Sequence, residues 1–232
     1  ENANFEAVKN NFNESLKILD EIIISKNIEE IIKFYRRNKA FDHFYYNDEN
    51  NNDNVIDTIS VLFTHGSINK SNCNDINKRL GGLLGGHVEV KIDSIIYGFD
   101  IKNKDNIHLF PKTSFNSKFS KLSYDEWIDK NKFEKITIIE FPVNCKTKQE
   151  ITNIYNNYFN MTPYDYAFFG HRCTSSVYDI LSKAKYFKKR NTVLCIIFNF
   201  YPRLLRFRLL YLAKKEGFKI KKFKGIDCKF WE

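Results

Sequence analysis

The sequence is poor in cysteine and has no CxxC pair: Cys73, Cys145, Cys173, Cys195 and Cys228 are five scattered positions in 232 residues. An odd number at wide spacing excludes a disulfide framework, and the missing pairs exclude a structural zinc site. At least one thiol is expected to be free. No apolar run approaches the roughly 18 residues that a membrane-spanning helix requires. The chain opens on Glu1 without a basic stretch leading into an apolar one, so the expectation is a soluble chain, whether secreted, periplasmic or cytoplasmic. HExxH and GxxxxGK[ST] are absent too, which removes the zinc-peptidase and P-loop readings. No cofactor or metal is implied, and no internal repeat suggests an array.

What is present suits one well-filled core with a small appendage: 43% of the residues are hydrophobic and 16% aromatic. The net charge of +9 is uneven. From Ser182 to Glu232 fifteen Lys and Arg stand against three Asp and Glu, a net +12, which leaves about −3 for the first 181 residues. Such a basic C-terminal region suits an anionic surface, lipid headgroups or an acidic polymer. It carries no RNP-like or zinc-finger signature, so no specific nucleic-acid partner is expected.

Phe5, Val8, Phe12, Leu16, Leu19, Ile22 and Ile23 recur near a three-to-four spacing, and Ile28–Tyr35 is a second helical run. Residues 1–50 therefore read as a helical N-terminal appendage. The polar, low-complexity stretch Asn47–Asn54 is a linker into a main domain over 55–232. There, VIDTISVLFTH (Val55–His65) ends in a strand and GGLLGG (Gly81–Gly86) enters a hairpin, HVEVKIDSIIYGFDI, that turns at Asp93-Ser94. KITIIEFPV (Lys135–Val143) is another strand. Thr147–Asn160 reads as a helix with Thr147 as its cap and Glu150 at the capping-box spacing. Thr174 to about Tyr186 is helical, and Thr192–Phe200 is apolar enough for a buried strand or helix. Pro202 opens a helix that Gly217 stops, and FKIKKFKG closes the fold as a basic strand.

In TPYDYAFFGHRCTSSVYDIL (Thr162–Leu181) a cysteine sits at the start of a helix. The nucleophilic form of cysteine is the thiolate, which unpaired N–H groups and the helix dipole stabilise at that position. Thr174, Ser175 and Ser176 suit a helix start. No other cysteine shows this setting in the sequence, so Cys173 is the candidate nucleophile. Such a thiol needs a base, and His87, opening a strand directly after GGLLGG, is the candidate among His43, His65, His87, His108 and His171. A two-residue turn at Asp93-Ser94 places Asp100 opposite His87, where a carboxylate holds an imidazole's tautomer and charge. His108, on what reads as the next short strand, is the alternative third member. Arg172 supports the thiolate, and Tyr164 or Tyr166 supplies a hydroxyl to substrate or oxyanion.

The order GGHVEVKID, ITIIEFPV, helix, then TPYDYAFFGHRCTSSVYDIL resembles the circularly permuted papain-like families of the NlpC-type peptidase clan, relatives of lecithin retinol acyltransferase. The resemblance covers roughly Val55–Leu181. It implies an α+β fold with an antiparallel sheet packed against helices, with His87 as base, Cys173 as nucleophile and Asp100 as the polar third member. It also implies cleavage of an amide or ester in a peptide, cell-wall peptide or lipid. Arg172 stands where many relatives have Asn. Two other readings remain open: a non-catalytic binding module on the same scaffold, and a membrane-surface acyltransferase suggested by PRLLRFRLLYLAKK.

Overall fold

The computed structural model describes residues 56–65, 86–103, 108–132, 134–167, 169–188 and 202–224. All of them belong to one compact unit, Phe44–Trp231. The expected N-terminal appendage, Thr192–Phe200 and most of GGLLGG lie outside the described residues.

The fold is α+β. Strands β1 (Ile56–His65), β2 (His87–Ile92), β3 (Ile95–Ile101), β4 (Ser117–Ser123), β5 (Lys135–Asn144) and β6 (Ile220–Phe223) form one antiparallel sheet in the order β4-β3-β2-β1-β5-β6. The helices are α1 (Tyr124–Asn131), α2 (Cys145–Asn160), α3 (Cys173–Lys183) and α4 (Pro202–Glu216). The ten residues of β1 pair with β2 on one side and β5 on the other. A strand so placed has both faces covered, which is why IDTISVLFTH reads as an apolar run and not as a clean alternation.

Side chains alternate across each strand and feed two cores. Ile59, Val61, Phe63, Val88, Val90, Phe99, Ile139 and Phe141 face α2, α3 and α4 in the larger cluster, with Ile151, Tyr155, Tyr178, Leu181, Leu205 and Leu209. Leu62, Ile96, Ile136 and Ile138 turn to the other face and close around Trp127 of α1. Complete burial of Trp127 removes a large apolar area from water, of order 3 kcal/mol at 25 cal/mol per Å². Helix α1 is short, but Ser123 and Glu126 form a reciprocal capping box at its start.

The β2–β3 hairpin turns at Asp93-Ser94 with Asp93 at φ +53, a conformation Asp tolerates better than most residues. Val90 pairs with Tyr97 and Ile92 with Ile95. Two helical details differ from expectation. Helix α2 starts at Cys145, because Asn144, the last residue of β5, caps it by accepting the Thr147 N–H at 2.7 Å. Thr147 is therefore inside the first turn. In α4, Arg206 and Arg208 are buried, so this helix does not present a row of free guanidinium groups on one outer face.

Candidate active site

Helix α3 begins at Cys173, and Arg172 in extended conformation (φ −136, ψ 174) is its N-cap. No side chain caps from Arg172. Instead Ser175 Oγ accepts the Arg172 N–H at 2.8 Å, so the serines that follow the cysteine fix the turn that carries it. Cys173 is 3% exposed. The helix packs against β2 and β3, which brings the thiol to the beginning of β2. There the Val88 backbone N–H donates to the sulfur, and the His87 ring lies within charge and hydrogen-bonding range.

The position of His87 follows from Gly86. This glycine has φ +73, and a Cβ on it would lie 1.7 Å from the Thr64 carbonyl oxygen. Only glycine lets the chain enter β2 so close to β1. His87 then pairs with Thr64, at the end of the ladder rather than within it, and its side chain stays 29% exposed.

Two carboxylates approach His87 from behind. Nε2 is 3.5 Å from Asp100 Oδ1 and 3.8 Å from Glu89 Oε1. Asp100 Oδ2 accepts a hydrogen bond from Ser120 Oγ at 2.9 Å, and Glu89 Oε2 accepts one from the Trp127 indole N–H. Burial opposes charge on both members of the thiol–imidazole pair, but their mutual attraction prevails. His87 is pushed up to about 10 by the Cys173 charge and hydrogen bond, then by Glu89 and Asp100. The Cys173 thiol is lowered by the His87 charge and hydrogen bond, by Arg172 and by the Val88 N–H. Each member thus favours the charged form of the other.

The two tyrosines separate. Tyr166 stacks on Phe99 with ring centroids 5.2 Å apart, and its hydroxyl joins Arg172 and Cys173. Burial and the adjacent thiol charge raise its pKa well above the ordinary phenol value, so it is a neutral donor beside the sulfur. Tyr164 is committed elsewhere: its hydroxyl meets Ser176 Oγ at 2.8 Å and its ring stacks on His171 at 3.8 Å. Burial brings His171 down to about 4, which leaves that ring neutral.

His108 is not at the thiol. It forms a lone bridge with Ala167, not a strand, and its Nδ1 lies 2.6 Å from Asp165 Oδ2. Asp165 also accepts the Lys112 and Asn116 N–H groups at 3.0 and 2.7 Å. This latch ties the segment around His108 to the loop that leads into Cys173. Of the two third-member candidates, Asp100 is the one beside His87.

Glu89 is the residue the sequence reading missed. A glutamate two positions after His87 looks like the outward member of an alternating strand. The signal was Gly98, the residue the hairpin turn sets across from it: a Cβ there would stand 2.9 Å from Glu89 Oε1. Cys145 is a second correction, since it too opens a helix, α2, and is exposed.

No family model matches the sequence, and comparison with curated proteins and with solved structures finds no significant match. No helix among the described residues is long and apolar enough to cross a membrane.

Proposed function

We propose that the chain is a cysteine hydrolase of peptidase or amidase type, with a papain-like arrangement in permuted order. The observation that carries this reading is a buried cysteine at the first position of a helix, set against a histidine that has a carboxylate 3.5 Å behind it. Each member does work that the others make possible.

The Cys173 thiolate attacks the carbonyl carbon of an amide or ester, forming the C–S bond and a tetrahedral oxyanion. Backbone N–H groups of the first turn of α3 and the Tyr166 hydroxyl are the donors nearest that developing charge; a single donor of this kind is worth about 100-fold or more in rate. His87, held as imidazolium, gives its proton to the leaving nitrogen or oxygen as that bond breaks. Water then attacks the acyl-enzyme, His87 takes the proton, and the thiolate leaves. Asp100 orients the ring throughout. The substrate is an acyl compound, a peptide, a cell-wall peptide or a lipid, and the basic C-terminal region favours one presented near negative charge.

The test is the ionisation of Cys173 against pH, read from the ultraviolet absorbance of the thiolate as wild type minus Cys173→Ser. It is paired with iodoacetamide labelling by peptide mass spectrometry. Absorbance needs no reagent access, which matters for a sulfur 3% exposed. A thiolate already present below about pH 7 and lost in His87→Ala supports the pair. Ionisation at or above the ordinary thiol range of about 8.5 defeats the catalytic reading and leaves a binding module on this scaffold.

A further inference from the structure

We infer that Glu89 is a positioning residue: a second, buried carboxylate that shares with Asp100 the holding of the His87 ring as a cation against Cys173. The inference rests on reading Cys173 and His87 as a catalytic pair.

The slot that holds Glu89 is built from three elements. Strand β2 presents Glu89 on the same face as His87, two residues on. Across the hairpin, Gly98 leaves room for the carboxyl group, since a Cβ there would press on Oε1 at 2.9 Å and on Cγ at 3.4 Å. From α1, the fully buried Trp127 donates its indole N–H to Oε2. With Oε2 occupied, Oε1 is the atom left at 3.8 Å from His87 Nε2. Asp100 repeats the pattern, with Ser120 on Oδ2 and Oδ1 turned to the same nitrogen at 3.5 Å.

The two carboxylates are not equivalent. The Asp100 side chain is 38% exposed and the Glu89 side chain 9%, so water screens the first far more than the second. The charged and titratable groups around Glu89 are His87 on its own strand, Asp100 on β3, Lys130 on α1 and the Tyr155 phenol on α2. Burial, with Asp100 adding to it, holds the Glu89 carboxyl above the ordinary glutamate range, and His87, Trp127 and Lys130 limit that rise without cancelling it. The Cys173 charge is the first compensation for the imidazolium, and the two carboxylates beside the ring add to it. The buried partner supplies the unscreened share.

The experiment uses the full chain as wild type, Glu89→Gln and Asp100→Asn. Glutamine keeps the size and an acceptor oxygen for Trp127. His87 is titrated through its ring proton resonances, and Cys173 through thiolate absorbance. An opposite charge within about 4–6 Å moves a titration by about 1–3 units. The expected result is a fall of that size in the His87 titration for Glu89→Gln, larger than the fall for Asp100→Asn, with a matching loss of thiolate in mild acid. A His87 titration in Glu89→Gln within about 0.3 unit of wild type overturns the inference, as does a shift accounted for by Asp100→Asn alone. If Glu89→Gln does not fold, Trp127→Phe carries the test, because it keeps the carboxylate and removes its anchor. A lowered His87 titration there supports the inference, and an unchanged one overturns it. A wild type whose Cys173 ionises like an ordinary thiol sinks the catalytic reading itself. A normal wild-type profile with unchanged variants sinks the role of Glu89 alone.

Discussion

Gly86 and Gly217 share φ +73 but differ in their surroundings, and that difference gives a prediction with its own control. Alanine at Gly217 meets nothing within 4 Å. It costs about 1–2 kcal/mol for a left-handed L-residue, less about 0.4–1 kcal/mol for stiffening the unfolded chain, a net near 1 kcal/mol. Alanine at Gly86 carries the same conformational cost and a steric one. Its Cβ would stand 1.7 Å from the Thr64 oxygen and 2.8 Å from the Thr64 carbon, both backbone atoms. To pass 3.0 Å the entry to β2 must retreat by about 1.3 Å, which parts the Thr64–His87 end of the ladder. Losing that pairing adds about 1–2 kcal/mol, so Gly86→Ala is expected to cost about 2–3 kcal/mol in urea denaturation. The retreat also carries His87 away from the sulfur, so the Cys173 thiolate should appear only at more alkaline pH in this variant, while Gly217→Ala keeps the wild-type profile. Equal stability losses in the two variants, together with an unshifted Cys173 titration in Gly86→Ala, refute the claim that this glycine sets the position of the histidine.

Other consequences follow from the same contacts. In wild type the thiolate–imidazolium pair exists above the lowered thiol pKa and below the raised histidine value of about 10, so thiolate reactivity should form a plateau that changes character near pH 10. In His87→Ala the largest opposing charge is gone and burial is countered only by Arg172 and the Val88 N–H, so ionisation should move up toward or above the ordinary thiol value of about 8.5. Asp165→Asn replaces a buried acceptor of three hydrogen bonds and should cost about 2–4 kcal/mol. Burial favours the neutral acid, but His108 and the two backbone donors hold Asp165 below its usual range. Its contribution is therefore complete above the unfolded value near 4 and lost as pH falls through the lower folded one. Acid unfolding should be shallower in Asp165→Asn than in wild type, and identical slopes contradict the latch.

The hairpin that carries the candidate base was legible because two local rules agree on it: alternating apolar residues and a two-residue polar turn. The helix that carries the candidate nucleophile was legible from CTSS, though its start falls one residue earlier than the helical reading of Thr174. Strand β4 (SKFSKLS) escaped notice because it lies at the sheet edge and buries only Ser117 and Phe119, which leaves too few apolar residues to show a period. Helix α1 follows it directly and has eight residues, about two turns. Glu89 had only the hint of Gly98 across the hairpin, and its role was hidden for a different reason. Its meaning depends on Trp127, 38 residues away, and no local pattern links a strand glutamate to a tryptophan on a later helix. The same holds for His108, which looked like a site residue until Asp165, 57 residues on, claimed it.

Cys145 and Cys173 together show what a helix N-terminus can and cannot do. Both open a helix directly after an extended residue, Asn144 in one case and Arg172 in the other. A helix dipole stabilises an anion at that position by about 0.3–1 kcal/mol, less than one pKa unit at 1.36 kcal/mol per unit. That contribution alone does not overcome burial of a sulfur 3% exposed. What distinguishes Cys173 is the end of β2, which delivers the Val88 N–H and the His87 ring to the same atom, with the guanidinium of Arg172 close by. Exchanging only accessibility between the two cysteines would therefore not exchange their chemistry. With His87 removed, Cys173 should ionise at higher pH than in wild type, because it keeps the burial and loses the largest opposing charge. Labelling of Cys173 across pH in wild type and His87→Ala reads that shift directly. If Cys173 ionises at the same pH in both, the helix start and Arg172 hold the thiolate by themselves, and the histidine is not its essential partner.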